Sequence, residues 1–424
     1  MAQLYDNTVK KDRVLLAAVD TGAYDTAASL VELEELVKTA DGEPVIRVVQ
    51  KRPSYDKATC IGSGRLEEIA QLCTDNEIDR IIFDCELTAT QIRNIEDVCG
   101  VFTIDRTMLI LDIFASHAKT HEGRLQVEIA QNKYRLPRLA GMGLNLSRLG
   151  GGIGTRGPGE TKLETDKRHI RARIASLTEE LREIEKRRDL MRKRRKKDGV
   201  LTCAIVGYTN AGKSTLLNAL TQAGVLSEDK LFATLETTSR AIELPDGRSV
   251  TLIDTVGFIS RLPHNLVEAF KSTLEEAAQA DVLIHVVDAS DPSCEEQAAV
   301  TRKLLSELGC DGIPVVTVFN KCDKIAYAKS LKADAEEFEV LISAKTGEGL
   351  DAMLDAVARA LPDSCVRCRL LLPFDKAGLL NTVRIDGKVF SEEYTAEGIE
   401  VDALIDRRIF YMFEEYKVNC VNNL

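Results

Sequence analysis

Short apolar runs alternate with amphipathic stretches over the first 118 residues. Four runs rich in β-branched residues predict strands, at residues 14–20, 45–50, 80–85 and 101–105. Three stretches between them carry apolar residues at helical spacing, at residues 26–38, 64–75 and 88–98. Because alternation of strands and helices is typical of parallel sheets, the pattern predicts a small parallel α/β domain over residues 1–118.

A helical spacing governs residues 119–198. Apolar side chains recur there at steps of mostly three, four or seven residues, at Leu163, Ile170, Ile174, Leu177, Leu181 and Ile184. Such a seam packs against a partner helix, for which Leu125, Ile129 and Leu136 supply the opposing stripe. We therefore predict an antiparallel helical hairpin. Its tip, residues 140–161, is rich in glycine, which disfavours helix and favours mobility in the free protein.

Strand–helix alternation returns over residues 199–361. Five apolar runs predict strands: LTCAIVG, SVTLIDT, VLIHVVD, PVVTVF and FEVLIS. Helical stretches follow most of them, so the pattern favours a doubly wound α/β sheet with helices on both faces. Residues 362–424 hold further β-like runs and several aromatic residues, and they predict a compact α+β appendage.

A phosphate-binding motif follows the first of these strands. It fits G-x-x-x-x-G-K-[ST] between an apolar strand and a helix, which is the context that the motif requires. Its residues are Gly207, Tyr208, Thr209, Asn210, Ala211, Gly212, Lys213 and Ser214, with Thr215 next. Backbone N–H groups of such a loop cradle phosphates. Lys213 is expected to bridge the β- and γ-phosphates, and the Ser214 hydroxyl to bind Mg²⁺.

Further motifs close the later strands. Asp254, Thr255, Val256 and Gly257 follow SVTLI; the carboxylate would hold Mg²⁺ through water, and the Gly257 N–H would sense the γ-phosphate. Asn320, Lys321, Cys322 and Asp323 follow PVVTVF, and a carboxylate there can accept both N–H donors of guanine. Ser343, Ala344 and Lys345 end FEVLIS, where the backbone can meet the guanine carbonyl. Together these motifs predict a Mg²⁺-dependent GTPase binding GTP and GDP.

The loop between the first two of these motifs must supply a threonine to Mg²⁺ and the γ-phosphate. Spacing leaves Thr234, Thr237 and Thr238 as candidates. Phe258 follows Gly257 where many GTPases place a water-orienting glutamine, so we expect slow intrinsic hydrolysis. Asn210 resembles the asparagine of GTPases that use K⁺ in place of an arginine finger, which suggests K⁺ as a second cofactor.

The segments GYTNAGKST, LFATLETTSR, DTVGFISRLP, NKCDK and SAKTGEGL resemble the HflX family of translation-associated GTPases. The glycine-rich tip followed by GPGETKLETDKRHIRARI is similar too. The resemblance implies that Phe232, Ala233, Thr234, Leu235 and Glu236 form a switch in which Thr234 is the Mg²⁺ ligand, although family patterns often have Asp where Glu236 stands. With Thr234 chosen, Lys213, Thr234 and Gly257 are the candidate catalytic residues. The resemblance also implies binding to the large ribosomal subunit, at rRNA near the peptidyl-transferase centre, and splitting or rescue of stalled ribosomes under stress.

Charge adds a candidate RNA surface. The chain carries a net charge of −11, yet residues 119–197 hold 22 Lys and Arg against 10 Asp and Glu. A basic hairpin with few aromatic residues suits backbone and shape recognition of folded RNA, and no DNA partner is expected. The candidate contacts are Arg148, Arg156, Lys162, Arg168 and Arg171, flanked by Arg135, Arg138, Lys167 and Arg173. The alternative is a solvated coiled-coil face without a ligand.

Other features leave alternatives open. Apolar runs are too short for a membrane helix and the N-terminus lacks a signal-peptide core, so a cytoplasmic address is expected, with ribosome or membrane association at most. Cys365 and Cys368 form a close pair without the further ligands that a zinc site needs. Gly62-Ser63-Gly64-Arg65 precedes a helix and suits either a turn or a phosphate contact. The competing function is an RNA- or ribosome-binding assembly module gated by GTP with little hydrolysis, whereas the guanine motif argues against a metabolic kinase.

Overall fold

The structure is a computed structural model that describes residues 11–142, 158–197, 199–221, 231–232, 238–263, 266, 276–325, 338–362 and 365–420. Contacts group these residues into two compact units. The first contains residues 11–142, 158–192, 231–232, 256–263 and 266. The second contains the other described residues.

The first unit is built on a parallel four-stranded sheet. Its strands, in the spatial order β2-β1-β3-β4, are β1 (Arg13–Asp20), β2 (Glu43–Lys51), β3 (Arg80–Phe83) and β4 (Phe102–Asp105). Its helices are α1 (Thr26–Thr39), α2 (Ser63–Asp75), α3 (Ala89–Cys99) and α4 (Arg106–His117). Strand β1 has a neighbour on each side and helices around it, so Val14 through Val19 are all buried.

Local capping chemistry places the starts of these helices. The Asp25 carboxylate accepts from the backbone of Ala27 and Ala28 at the start of α1. Thr88 and Gln91 form a capping box at the start of α3. Asp105 caps α4 by accepting from the Met108 N–H at 2.9 Å. Helix α4 was not among the helices predicted from spacing, because its consecutive apolar residues MLIL fit a short strand as well as a buried helix.

A helical hairpin follows in the same unit, formed by α5 (His121–Met142) and α6 (Pro158–Lys197). Ion pairs join Glu122 to Arg188 and Glu128 to Arg173, so the two helices run antiparallel. Their seam buries Leu125, Ile129 and Leu177, with Leu181 and Ile184 packed beside them. Both helices extend into the glycine-rich segment, since α6 starts at Pro158, a residue that the first helical turn tolerates. Residues 143–157 of that segment lie outside the described residues.

The second unit contains a six-stranded sheet in the order β10-β9-β8-β5-β7-β6. The strands are β5 (Leu201–Gly207), β6 (Thr238–Glu243), β7 (Ser249–Asp254), β8 (Val282–Asp288), β9 (Val315–Asn320) and β10 (Glu339–Leu341). All neighbours are parallel except β6, which pairs antiparallel with β7 at the edge. Helices α7 (Lys213–Thr221) and α9 (Leu350–Ala360) share one core with the sheet. Helix α8 (Cys294–Glu307) packs against β5 and β8 without joining that core.

A second, antiparallel sheet completes this unit. Its strands, in the order β12-β13-β11-β14, are β11 (Cys365–Leu372), β12 (Gly387–Tyr394), β13 (Ile399–Asp406) and β14 (Lys417–Cys420). Helix α10 (Gly378–Asp386) covers it and contributes Leu380 and Val383 to the core, and a short helix α11 (Arg407–Phe410) follows β13. Cys365 and Cys368 both lie on β11, and Cys368 is buried in this core.

The predicted fold class is confirmed. A small parallel α/β domain and a basic helical hairpin precede a mostly parallel doubly wound sheet, and a small α+β appendage follows. The exact domain boundaries stay a prediction. None of the helices in the described part of the chain is long and apolar enough to cross a bilayer.

Candidate functional site

The loop between β5 and α7 has the geometry of a phosphate cradle. Gly207 ends the buried strand with φ of +151°, and a side chain there would collide with the Val286 carbonyl of the neighbouring strand. Asn210 lies in the left-handed region, with φ of +59°, which asparagine tolerates better than most residues. Helix α7 then begins at Lys213. Backbone N–H groups at the start of this helix can therefore bind an anion.

Lys213 is a buried cation at this loop. Its side chain is enclosed, and its Nζ donates to the Tyr208 carbonyl oxygen at 2.8 Å. Burial lowers the pKa of Lys213 to about 8, and the nearby Asp254 carboxylate only partly counters that effect. A bound polyphosphate would supply the missing negative charge, so this lysine suits an anionic ligand better than an empty loop.

Ser214 and Asp254 meet beside Lys213. The Ser214 hydroxyl donates to Asp254 Oδ2 at 3.0 Å, and Asp254 is buried at the carboxyl end of β7. The next residue, Thr255, is buried and donates from Oγ1 to the Ile205 carbonyl at 2.7 Å, which ties β7 to β5. A hydroxyl and a carboxylate oxygen side by side are ligands that Mg²⁺ prefers, so the donor set fits this metal.

Asn320 joins three of the predicted motifs. Its side-chain amide donates to the Ala211 carbonyl at 2.8 Å, and its Oδ1 accepts from the Ala344 N–H at 2.9 Å. Any side chain at Gly212, where φ is +94°, would collide with the Asn320 amide. Asn320 therefore fixes the phosphate loop and the loop after β10 in one arrangement.

The predicted base-recognition residues lie at the same edge of the sheet. Asp323 is exposed, and the buried Ser343 hydroxyl donates to its Oδ1 at 2.8 Å. Lys321 adopts a left-handed backbone with φ of +64°, and its Nζ pairs with Asp288 Oδ2 at 2.7 Å. A carboxylate held by one oxygen keeps acceptor capacity for the paired N–H donors of a purine edge.

Asp288 was missed by sequence reasoning. It is the last residue of β8 and the only acidic residue of that strand, just as Asp254 is the last and only acidic residue of β7. The position directly after a buried parallel strand is the signal that could have found it, because the carboxyl ends of neighbouring strands converge.

Most predicted site residues are brought together, and a few cannot be placed. The loops after β5, β7, β9 and β10 all leave the carboxyl edge of one sheet. The predicted residues on these loops differ in exposure, with Tyr208, Thr209, Ala344 and Thr255 buried, Cys322 and Thr215 partly buried, and Lys345 exposed. Val256 and Gly257 belong to the first unit by contacts. Ala233, Thr234, Leu235 and Glu236 lie outside the described residues, so their roles stay predictions.

Comparison with known proteins decides the family. Three family models match: "GTP-binding GTPase N-terminal" at residues 27–115, "GTP-binding GTPase Middle Region" at 117–195 and "50S ribosome-binding GTPase" at 202–321. The GTPase HflX of Caldanaerobacter subterraneus is 51% identical over 93% of this chain and 91% of its own length. That of Escherichia coli is 42% identical over 81% of this chain and 82% of its own length.

The chain belongs to the HflX family of GTPases. It is therefore an enzyme that hydrolyses GTP, as the motifs predict. A solved GTP-binding protein from Sulfolobus solfataricus in complex with GDP is 26% identical over 82% of this chain and 98% of its own, with a TM-score of 0.42. The family assignment does not depend on that structural likeness.

Two short segments that flank Thr234 and Gly257 in the chain pack within the first unit. Phe232 is buried and packs edge-to-face on Phe114 of α4, with ring centroids 4.7 Å apart. Phe258 and Ile259, directly after Gly257, are also buried. Phe258 is thus an anchor in the position where many GTPases carry a glutamine, which agrees with the expectation that it does not orient water.

The hairpin residues divide into exposed and internally paired cations. Arg168 and Arg171 are exposed on α6. Arg173 instead pairs with Glu128, and Arg138 pairs with the buried Asp105 at 3.2 Å. Charge had placed these two among the cations that flank the predicted RNA surface, and in the structure both form ion pairs within the protein. Arg148 and Arg156 lie outside the described residues, and only the helical backbone is described at Lys162.

Proposed function

We propose that this chain is a GTP-driven switch that binds the large ribosomal subunit and splits or rescues stalled ribosomes under stress. The observation that carries the proposal is that one chain combines paired phosphate-loop, Mg²⁺-ligand and base-recognition residues with a basic helical hairpin. The matching family model is described as a ribosome-binding GTPase, and the curated relatives carry the HflX name. The binding site for rRNA near the peptidyl-transferase centre would be the hairpin.

The nucleotide site supports named roles. The loop from Gly207 to Thr215 would wrap the phosphates, with Lys213 on the β- and γ-phosphates. Mg²⁺ would be held by Ser214 and Thr234 directly and by Asp254 through water, and it would neutralise charge developing on the phosphates. Thr234 and the Gly257 N–H would report the γ-phosphate, while Asp323 would select guanine. Hydrolysis would then release both switch segments.

Potassium dependence tests the role of Asn210. Asn210 resembles the asparagine of GTPases that use K⁺, so a monovalent cation beside the phosphates would supply the charge that an arginine finger supplies elsewhere. We expect turnover in potassium chloride to exceed turnover in sodium chloride of equal ionic strength by about tenfold or more. The measurement is phosphate release by the wild type and by Asn210→Ala, which should lose the difference between the two salts. Equal rates of the wild type in both salts would remove K⁺ from the mechanism.

Binding to purified 50S subunits tests the ribosomal role. The exposed Arg168 and Arg171 are expected to meet rRNA phosphates, so Arg168→Glu with Arg171→Glu should weaken binding at every salt concentration. The slope of log affinity against log salt should fall by roughly two, one for each lost phosphate contact. The matched control reverses two exposed cations of the second unit, Lys303→Glu with Arg359→Glu, and should bind as the wild type does.

Turnover on 50S subunits separates the proposal from its alternative. A switch should hydrolyse GTP at least about tenfold faster with subunits present. Binding that depends on salt but leaves turnover unchanged would instead favour an assembly module gated by GTP. If neither binding nor stimulation occurs, the hairpin is a solvated helical face and the ribosomal role is wrong.

A further inference from the structure

A buried carboxylate collects two arginines within the first unit. Asp84 is fully enclosed, and its Oδ1 accepts from Arg106 at 3.0 Å and pairs with Arg261 at 2.7 Å. Its other oxygen accepts from the Ser29 hydroxyl at 2.7 Å. Because Glu32 also pairs with Arg106, two carboxylates balance the two arginines in this buried cluster. The cluster therefore joins Arg106, at the start of α4, to Arg261, which follows Gly257 in the chain.

Arg261 belongs to the segment that follows Gly257. It stacks on the Tyr24 ring at 3.9 Å, and its backbone lies in the left-handed region with φ of +52°. A non-glycine residue in this region costs energy and persists where surrounding contacts hold it. The pair with Asp84 and the stacking on Tyr24 are such contacts. These two contacts thus hold the segment Phe258–Arg261 against the N-terminal domain.

Arg106, the first residue of α4, holds the same segment from a second side. It donates to the Ser260 carbonyl oxygen at 3.2 Å and also pairs with Glu32. Burial alone would lower the pKa of Arg106, but the carboxylates of Glu32 and Asp84 outweigh it and raise the pKa above its usual value. Arg106 therefore stays charged, and Asp84 keeps a partner even when Arg261 moves away. Arg261 can therefore move away from Asp84 without leaving the buried carboxylate unpaired.

Helix α4 reaches both switch-flanking segments and the hairpin. Its Phe114 packs on Phe232, as described above, while its first residue binds Ser260. The preceding residue, Asp105, accepts from the Leu87 N–H at 3.0 Å and pairs with Arg138 of α5. Arg138 also donates to the Leu87 carbonyl at 2.9 Å. A continuous set of contacts thus runs from the hairpin to the segment after Gly257.

We infer that Arg138, Asp105, Arg106, Asp84 and Arg261 form a relay of positioning residues between the hairpin and the γ-phosphate sensor. The relay has two arrangements, with Arg261 on Asp84 or released from it. A partner that binds the hairpin and favours one arrangement therefore favours the same arrangement at Gly257. A nucleotide that favours an arrangement at Gly257 likewise favours it at the hairpin. What binds the hairpin and the sensing of the γ-phosphate by Gly257 both rest on the proposed function, whereas the contacts that lead from Arg261 to Arg138 do not.

Amide hydrogen exchange tests the relay without any ribosome. Exchanging GDP for a non-hydrolysable GTP analogue is expected to change the exchange rate of peptides containing Leu87 and Met108, whose N–H groups bond to Asp105, by about fivefold or more. Arg261→Gln should abolish that change while GDP affinity stays as in the wild type, since GDP has no γ-phosphate to sense. The control Arg47→Gln breaks an exposed ion pair with Glu34 and should keep the wild-type response. An unchanged response in Arg261→Gln, or none in the wild type, overturns the relay.

A second experiment reads the relay in the opposite direction. Arg138→Met keeps the apolar stem of the side chain but loses the ion pair with Asp105. This variant should bind 50S subunits normally, while its GTP turnover on 50S subunits falls by about fivefold or more. Arg173→Met, which loses an exposed pair with Glu128 on the same hairpin, is the matched control and should keep full stimulation. The double variant of Arg138 and Arg261 should be no worse than the single variants, because both break one relay. Additive losses would contradict the relay. If 50S subunits do not stimulate GTP turnover by the wild-type protein, the proposed function is wrong, and the hydrogen-exchange experiment still tests the relay.

Discussion

Replacing Lys213 with methionine is expected to lower GTP turnover by at least about 10²-fold, the loss typical of one preorganised electrostatic group. The ammonium group is buried at the start of α7, where it would lie on the β- and γ-phosphates. Charge moves toward these oxygens as the terminal phosphate leaves, so the interaction is stronger in the transition state than with bound GTP. Methionine fills a similar volume without the charge.

The same substitution should leave the nucleotide-free protein no less stable. Because burial holds the pKa of Lys213 at about 8, below its usual value, the unfolded chain binds a proton that the folded chain does not between that pH and the ordinary lysine pKa. Wild-type stability should therefore rise as pH increases through about 8, and Lys213→Met should lose that rise. Thermal unfolding against pH, with phosphate release at neutral pH, checks both effects. The exposed Lys303→Met is the control, and turnover near the wild-type rate in Lys213→Met would contradict the assigned role.

Changing Asp323 to asparagine is expected to invert base preference, moving the ratio of xanthosine to guanosine triphosphate use by roughly 10⁴-fold. A carboxylate accepts both N–H donors on the guanine edge, whereas an amide can donate to the carbonyl that xanthine carries in place of the amino group. Guanine would then leave a donor facing a donor, which is costly in a desolvated site.

The loop around Asp323 should tolerate this change. Ser343 donates to Oδ1 at 2.8 Å, and the asparagine oxygen can accept the same hydrogen bond. Competition between the two triphosphates in a turnover assay measures the shift. Asp355→Asn, an exposed acidic position on α9, serves as the control for the loss of one negative charge. Retained GTP specificity in Asp323→Asn would mean that another group reads the base.

Sequence order alone predicted much of the nucleotide site. Each motif directly follows an apolar run, and the carboxyl ends of parallel strands meet at one edge, so knowing the strands is enough to gather the loops. The structure places Ser214 beside Asp254 and Ser343 beside Asp323 as this rule requires. Capping residues such as Asp25 and Thr88 likewise act over two or three positions, and their effect can be read locally.

Other features of the fold could not be predicted from local sequence patterns. Helix α4 contains the consecutive apolar residues MLIL, and periodicity cannot distinguish such a short run from a strand. Counting charges could not show that Arg138 pairs with Asp105, since an ion pair depends on which side chains face each other across elements. The edge strand β6 pairs with β7 through the turn between them, which a weak apolar pattern did not reveal.

The alternation of apolar strands with helices, the motif at the end of each strand and the resulting GTPase chemistry were thus determined by the sequence itself, because each depends on neighbours in the chain or on one topological rule. Only the tertiary structure decided that Arg261 and Arg106 share Asp84 and that Asp105 connects them to the hairpin. These groups lie far apart in sequence, and a buried charge selects its partner by distance and desolvation rather than by spacing along the chain.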